Sequence, residues 1–174
     1  VYVGSNGTIH TIAPDLSTNS VFSTVTNGDF LDGLYFSPDG LKLYAANRTS
    51  PFRVTIINRD GTLDRHIPLP SEPDGLAFHQ ASGDVMTLNL DGTISRVNLS
   101  TDTGTLFASG GFRGDLAQVG ADGCWYVTQD GTRFLNGETS STNSVVRICP
   151  GFVPPPGVVG DITLAPASAV NNIG

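Results

Sequence analysis

Asp32, Asp74 and Asp115 each stand in a segment that reads as a copy of the others: DGLYFSPDGLKLYAAN from Asp32, DGLAFHQASGDVMTLN from Asp74, and GDLAQVGADGCWYVTQ around Asp115. A fourth echo, GDITLAP, holds Asp161. The aspartates are 42, 41 and 46 residues apart. A second run keeps step, with Tyr2, Tyr44, Met86 and Tyr126 at its middle positions, 42, 42 and 40 residues apart. Third runs follow (GTIHTIAPD, VTIINRDGT, GTISRVNLSTDTG, SVVRICPG), and fourth runs (SVFSTV, DRHIPL, GTLFAS) close the first three units. A unit of about 40 residues with four short strands cannot cover both faces of its own sheet, so successive units must stack. The expectation is an all-β propeller in which GLYF and GLAF are inner strands and the Asp-Gly pairs of SPDG, NRDG, NLDG and GADG turn hairpins. Val54, Ile56, Ile94 and Val97 are expected between neighbouring sheets.

About four blades are visible, the first of them lacking an inner strand. GDITLAP would supply that strand if the ring closed on itself. The other expectation is a piece of a larger propeller, or a homo-oligomer that completes one, since four blades are the lower limit of the usual range. The chain starts at Val1 with neither an initiator Met nor a signal peptide, so a processed or partial chain is expected.

Composition agrees with many turns and short strands. The 174 residues include 21 Gly and 11 Pro, only 14% are charged, and no sustained helical periodicity occurs. A net charge of −7 with nine Lys and Arg provides no basic patch, which argues against nucleic acid and anionic membranes as partners. No apolar run reaches the roughly 20 residues of a membrane span. Cys124 and Cys149 are the only cysteines. They flank the second and third runs of one unit, where an antiparallel pair would hold them close enough for a disulfide. The alternative is two buried thiols.

The segments PDGLAF, SGDVMTL, LDGTISRV and DGLYFSPDGLKLYAAN resemble the blades of gluconolactonase/senescence-marker-protein propellers and of NHL-repeat proteins. The resemblance spans residues 1–150 as propeller blades. GDITLAPASAVNNIG is similar to the first strand of bacterial immunoglobulin-like surface domains. Residues 151–160 would then be a Pro-rich linker, and 161–174 either the start of an Ig-like neighbour or a closing propeller strand. The gluconolactonase resemblance implies a divalent cation, calcium for an all-oxygen site, in the central channel. Asp32, Asp74 and Asp115, with Asn47 and Asn89 just after the second runs, are the candidate ligands. Glu72 precedes Pro73 but lacks the family's Glu-Gly-Pro setting. The other reading of the repeated Asp is a turn residue that accepts backbone N–H bonds where each inner strand begins.

Trp125, the only Trp, is either a core aromatic or a platform on which a sugar stacks. His79 reads as a turn residue, and the RGD at 113–115 as the start of a blade. Zinc-type histidine spacings, a nucleophile elbow, a phosphate loop and a dinucleotide fingerprint are all missing from the sequence. Asn6, Asn47 and Asn98 sit in glycosylation sequons. The functional expectation is a non-enzymatic binding or scaffold module of a secreted or cell-surface bacterial protein, taking a protein or carbohydrate ligand. The alternative is a metal-dependent lactonase or esterase.

Overall fold

A computed structural model describes all residues except 6, 26–27, 80–81, 131, 136–137, 142, 150–159 and 162–174. The Asp-Gly turns explain where strands reverse. Asp60 Oδ1 accepts the backbone N–H of Thr62 at 3.0 Å and its hydroxyl at 2.6 Å. Asp91 does the same for Thr93, at 3.0 and 2.5 Å. Asp39 takes Leu41 N–H at 3.0 Å, and Asp122 takes Cys124 N–H at 3.0 Å. Each carboxylate thus ties down the residue two places on, while the following glycine carries the positive φ the turn needs.

Between these turns the β-branched runs form antiparallel sheets in chain order. The first sheet holds β1 (Tyr2–Ser5), β2 (Thr8–Ile12) and β3 (Asn19–Ser23). The second holds β4 (Leu31–Phe36), β5 (Lys42–Asn47), β6 (Arg53–Asn58) and β7 (Leu63–Pro68). The third holds β8 (Pro73–His79), β9 (Asp84–Asn89), β10 (Ile94–Asn98) and β11 (Thr103–Ser109). In the fourth, β12 (Arg113–Val119) pairs with β13 (Trp125–Asp130), a separate hairpin of β14 (Thr132–Leu135) and β15 (Glu138–Ser141) intervenes, and β16 (Ser144–Ile148) returns beside β13. The described residues contain no helix.

Apolar clusters join the sheets in sequence. Ile9 of the first sheet meets Leu43, Ala45 and Ile57 of the second. Tyr44, Val54 and Ile56 of the second meet Leu76, Val85 and Val97 of the third. Met86, Leu88 and Ile94 of the third meet Trp125 and Val127 of the fourth. Val54, Ile56, Ile94 and Val97 therefore lie between sheets as the periodicity predicts. Each large aliphatic removed from water here stabilises the fold by about 1.5–3 kcal/mol.

The inner strands lie side by side. A Cβ at Gly33 would sit 3.0 Å from the Asp74 carbonyl oxygen, and one at Gly75 would overlap the Asp115 carbonyl. Only glycine lets β4 approach β8, and β8 approach β12, this closely. The arrangement is all-β and propeller-like: consecutive sheets stack face to face, with their first strands gathered at one edge.

Of GDITLAP only Gly160 and Asp161 are described. β17 (Gly160–Asp161) adds in parallel to β11, the outer strand of the third sheet, instead of beside β1. The remainder of the linker 151–160 and of the tail 161–174 lies outside the described residues.

Candidate functional site: a charged mouth at the inner strands

Because β4, β8 and β12 run side by side, the residues at their starts converge. Asp74 is 1% exposed. Its Oδ2 accepts Arg113 Nε–H at 2.7 Å. Its Oδ1 is buried and receives no hydrogen bond from a donor group. The carboxyl of Asp32 lies against it, and the two hydrogen-bond when one of them carries a proton. Burial is the main cause that raises the Asp74 pKa above the usual carboxylate range, and the Asp32 contact adds to it. Asp32 Oδ2 in turn accepts from Arg48 Nη1 at 3.0 Å, and Arg48 Nε donates to Glu72 Oε1 at 3.0 Å. The Arg48 guanidinium lies 5.0 Å from the ring centroid of Phe30, an exposed aromatic.

The result is a linked series of side chains, Glu72–Arg48–Asp32–Asp74–Arg113, in which two carboxyls meet at the centre and an arginine stands on either side, with the exposed Asp115 acting on Arg113 through its charge. Asp32 and Asp74 are thus brought together as the repeat predicts, and Asp115 joins them through Arg113. Asn47 and Asn89 are fully buried but spend their amides elsewhere. Asn47 Nδ2 donates to Asp29 Oδ2 at 2.8 Å and Thr55 Oγ1 at 3.2 Å. Asn89 Nδ2 donates to Thr93 Oγ1 at 2.9 Å and Ser95 Oγ at 2.8 Å. They brace the hairpins of their own sheets.

These residues do not fit a resident calcium ion. The two central carboxyls are answered by guanidinium groups, and the asparagine oxygens receive hydrogen bonds from Thr49 N–H and Thr87 Oγ1. Among the described residues no group of three His, Cys, Asp or Glu side chains could hold a metal ion. Arg48 and Arg113 are what the sequence reading missed. Their positions carried a signal: Arg48 directly follows the repeated Asn47, and Arg113 is the Arg of the RGD at the inner strand of the fourth sheet.

Of the two readings the sequence allows for Trp125, its placement is that of a core aromatic. It is 4% exposed, packed with Met86, Leu88 and Val127, and met edge-on by His79 with ring centroids 5.1 Å apart. No open ring face remains for a ligand. His79 closes a turn, its Nδ1 lying 2.9 Å from Ser82 Oγ. His66 Nδ1 lies 3.1 Å from Thr55 Oγ1, and burial lowers its pKa. Cys124 and Cys149 form the expected disulfide, with Cα atoms 4.1 Å apart, one step beyond the Trp125–Ile148 pair of β13 and β16. No candidate membrane-crossing helix, long and apolar enough, exists among the described residues.

No family model and no curated protein matches the chain. Its fold matches 157 chains of solved structures, so the architecture is widely used and does not by itself select an activity. One of them is hydrazine synthase from Kuenenia stuttgartiensis, with a TM-score of 0.66 and 13% sequence identity. The match covers 85% of this chain and 42% of that one. At this identity the likeness is one of fold alone.

Proposed function

We propose that this chain is a sector of a β-propeller that acts as a binding or scaffold module of a secreted or cell-surface bacterial protein, offering its charged mouth to a protein or glycan ligand. The observation that carries the reading is the Phe30–Arg48–Asp32–Asp74–Arg113 constellation. It combines an exposed aromatic, two guanidiniums, the buried Asp74 carboxyl and the partly exposed Asp32 carboxyl at the convergence of the inner strands. Such a surface recognises polar ligands through oriented donors and acceptors and a stacking ring. The disulfide suits an oxidising compartment and supports a location outside the cytoplasm. Neighbouring Ig-like domains are the expected covalent context.

The test is a glycan array read with wild-type chain beside Phe30→Ala and Arg48→Ala. Bound glycans are expected to weaken about tenfold or more in both variants, about 1.4 kcal/mol. Binding that ignores both substitutions would sink the mouth as the ligand surface.

The lactonase reading requires a cation on these carboxyls. Calcium is expected to leave the melting temperature unchanged, because the Asp32 and Asp74 carboxylates already pair with Arg48 and Arg113. A calcium-dependent rise that disappears in Asp74→Asn would restore the hydrolase.

A further inference from the structure

Asn47 and Asn89 hold the same place in their sheets, yet only one of the two braces ends on a group that titrates. The orientation of the Asn47 amide is fixed, because its Oδ1 accepts Thr49 N–H at 3.1 Å. Nδ2 therefore spends its two protons on Asp29 Oδ2 at 2.8 Å and Thr55 Oγ1 at 3.2 Å. Thr55 is fully buried, and its Oγ1 lies 3.1 Å from Nδ1 of His66 on β7. With Asn47 donating to it, the hydroxyl turns its own proton to His66 Nδ1, the one acceptor it meets among the described residues. This arrangement needs a neutral ring with its proton on Nε2. In the third sheet Asn89 donates to Ser95 Oγ in the same way, at 2.8 Å, but the residue across from Ser95 is Leu106.

The same amide reaches the mouth. Thr49, tied to Asn47 Oδ1, accepts Phe30 N–H on its Oγ1 at 2.7 Å, and Arg48 N–H donates to the Phe30 carbonyl at 2.8 Å. The Arg48 side chain then carries the Phe30 ring contact and the bonds to Asp32 and Glu72. A continuous set of hydrogen bonds thus runs from an exposed imidazole on an outer strand to the aromatic corner of the mouth. Few charges face His66. Arg53 on β6 and Asp29 ahead of β4 act on it through their charges, and they are bound to each other at 2.6 Å. On its own strand Asp64 and Arg65 pair with each other and, beyond that, with Lys42 and Asp102. The row Ala45–Thr55–His66 faces the first sheet, whose strands hold Tyr2 and His10 as their titratable groups. The neighbouring outer strand β11 holds none.

We infer that His66 is a proton-operated catch on the mouth: the neutral ring keeps the Phe30–Arg48 corner in place, and protonation of the ring releases it. Resting on the mouth as the ligand surface, this makes ligand binding weaken as the solution turns acidic. One proton decides the direction. A protonated His66 has an N–H where Nδ1 accepted, and that N–H meets a hydroxyl whose proton already points at it. Thr55 must turn its proton away, and inside the sheet stack it finds no second acceptor among the described residues. Its contact with the Asn47 amide is disturbed with it, and so is the Thr49 link. Burial is the main cause that lowers the His66 pKa below its ordinary 6.5, the Arg53 charge adds to this, and Asp29 opposes it. The braced corner is therefore complete at neutral pH and is given up as pH falls through the folded pKa. Because the ring is exposed, it takes its proton from solvent without any opening of the fold.

The experiment is proton–nitrogen NMR of the isotope-labelled intact chain between pH 8 and pH 5. The Thr49 and Phe30 amide signals are expected to move together with the His66 ring, at a midpoint below 6.5. His66→Asn puts a non-titrating carbonyl acceptor in place of Nδ1, and both amides are expected to keep their neutral-pH positions throughout. In Thr55→Val the ring still titrates but the two amides no longer follow it. Thr55→Ser keeps the hydroxyl and is expected to restore the coupling, which separates the hydrogen bond from a loss of folding. Amides that stay fixed in the wild type would overturn the inference. So would amides that still titrate in His66→Asn, since the Asp32–Asp74 carboxyls would then be the source. A glycan retained on the array is expected to bind about tenfold more weakly at pH 5 than at pH 7.5 in the wild type, and equally at both in His66→Asn. Equal affinity of the wild type at the two pH values would also overturn the catch. An array with no bound glycan removes the ligand reading of the mouth, while the amide titration still decides the catch.

Discussion

Asp122 is an exposed carboxylate, yet it gathers the fourth sheet. Its Oδ2 accepts from Arg147 Nη2 at 2.9 Å and from the Tyr126 hydroxyl at 2.9 Å, and its Oδ1 accepts Cys124 N–H. The Arg147 contact is the largest cause, and the Cys124 and Tyr126 bonds add to it, of a pKa lowered to about 2 from 3.8. A carboxylate whose pKa is depressed on folding favours the folded state fully above its unfolded value and loses that effect as pH falls through the folded one. The melting-temperature gap between wild type and Asp122→Asn is therefore expected at pH 5 and expected to shrink toward pH 2. A gap independent of pH would reject the account. Asp74 behaves oppositely, since burial holds its carboxyl above the usual range. Asp32→Asn removes a like charge and substitutes an amide that donates to the Asp74 carboxylate. The Asp74 carboxyl is then expected to titrate at lower pH, as read by carbon-13 NMR of the carboxyl carbons. An unchanged titration would show that the two groups are not coupled.

Turns and crosslinks decide whether each sheet keeps its register. Gly61 has φ +86°, and a Cβ there would overlap the carbonyl of Phe22 in the first sheet. Gly61→Ala thus combines backbone strain with a clash against a neighbouring backbone, and a loss of about 1–3 kcal/mol is expected by urea denaturation. Gly83→Ala is the control. It shares a positive φ of +73° but has open space, so it isolates the strain and should cost less. The Cys124–Cys149 bridge closes a separation of 25 residues around the β14–β15 hairpin. Cys124→Ser is expected to lower stability by about 3 kcal/mol under oxidising conditions. Equal melting of wild type with and without reductant would argue against a stabilising role. These elements were legible before any coordinates. Asp-Gly pairs mark hairpins because the turn needs both a side-chain acceptor and a left-handed residue. The cysteine pair was legible because its spacing matched adjacent strands. The tail was not, since a short strand sequence does not say which edge it joins, and Gly160–Asp161 pairs with an outer strand.

Stacked in order, the sheets bury the same repeated surface against each neighbour. The same stacking explains Trp125. A lone Trp at the start of a strand is equally compatible with a ligand platform and a core. It becomes core because the third sheet supplies Met86 and Leu88 against its ring. Trp125→Ala is accordingly expected to cost about 3–5 kcal/mol in stability. It should leave glycan recognition by the folded fraction unchanged, and selective loss of glycan binding with stability intact would reverse the assignment.

Order along the chain was sufficient for the strand runs, the turns, the period and the convergence of the aspartates, because each follows from local propensity or from the need of a thin sheet to be covered by its neighbour. It could not say what the aspartates meet. Arg48 reaches Asp32 within its own hairpin, but only the close approach of glycine-bearing inner strands carries Arg48 to Glu72 and Arg113 to Asp74 in the neighbouring sheets. Carboxylates converging in space must be neutralised by a cation, a proton or an arginine. Which of these does so depends on side chains delivered from different sheets, and that is settled by packing in three dimensions.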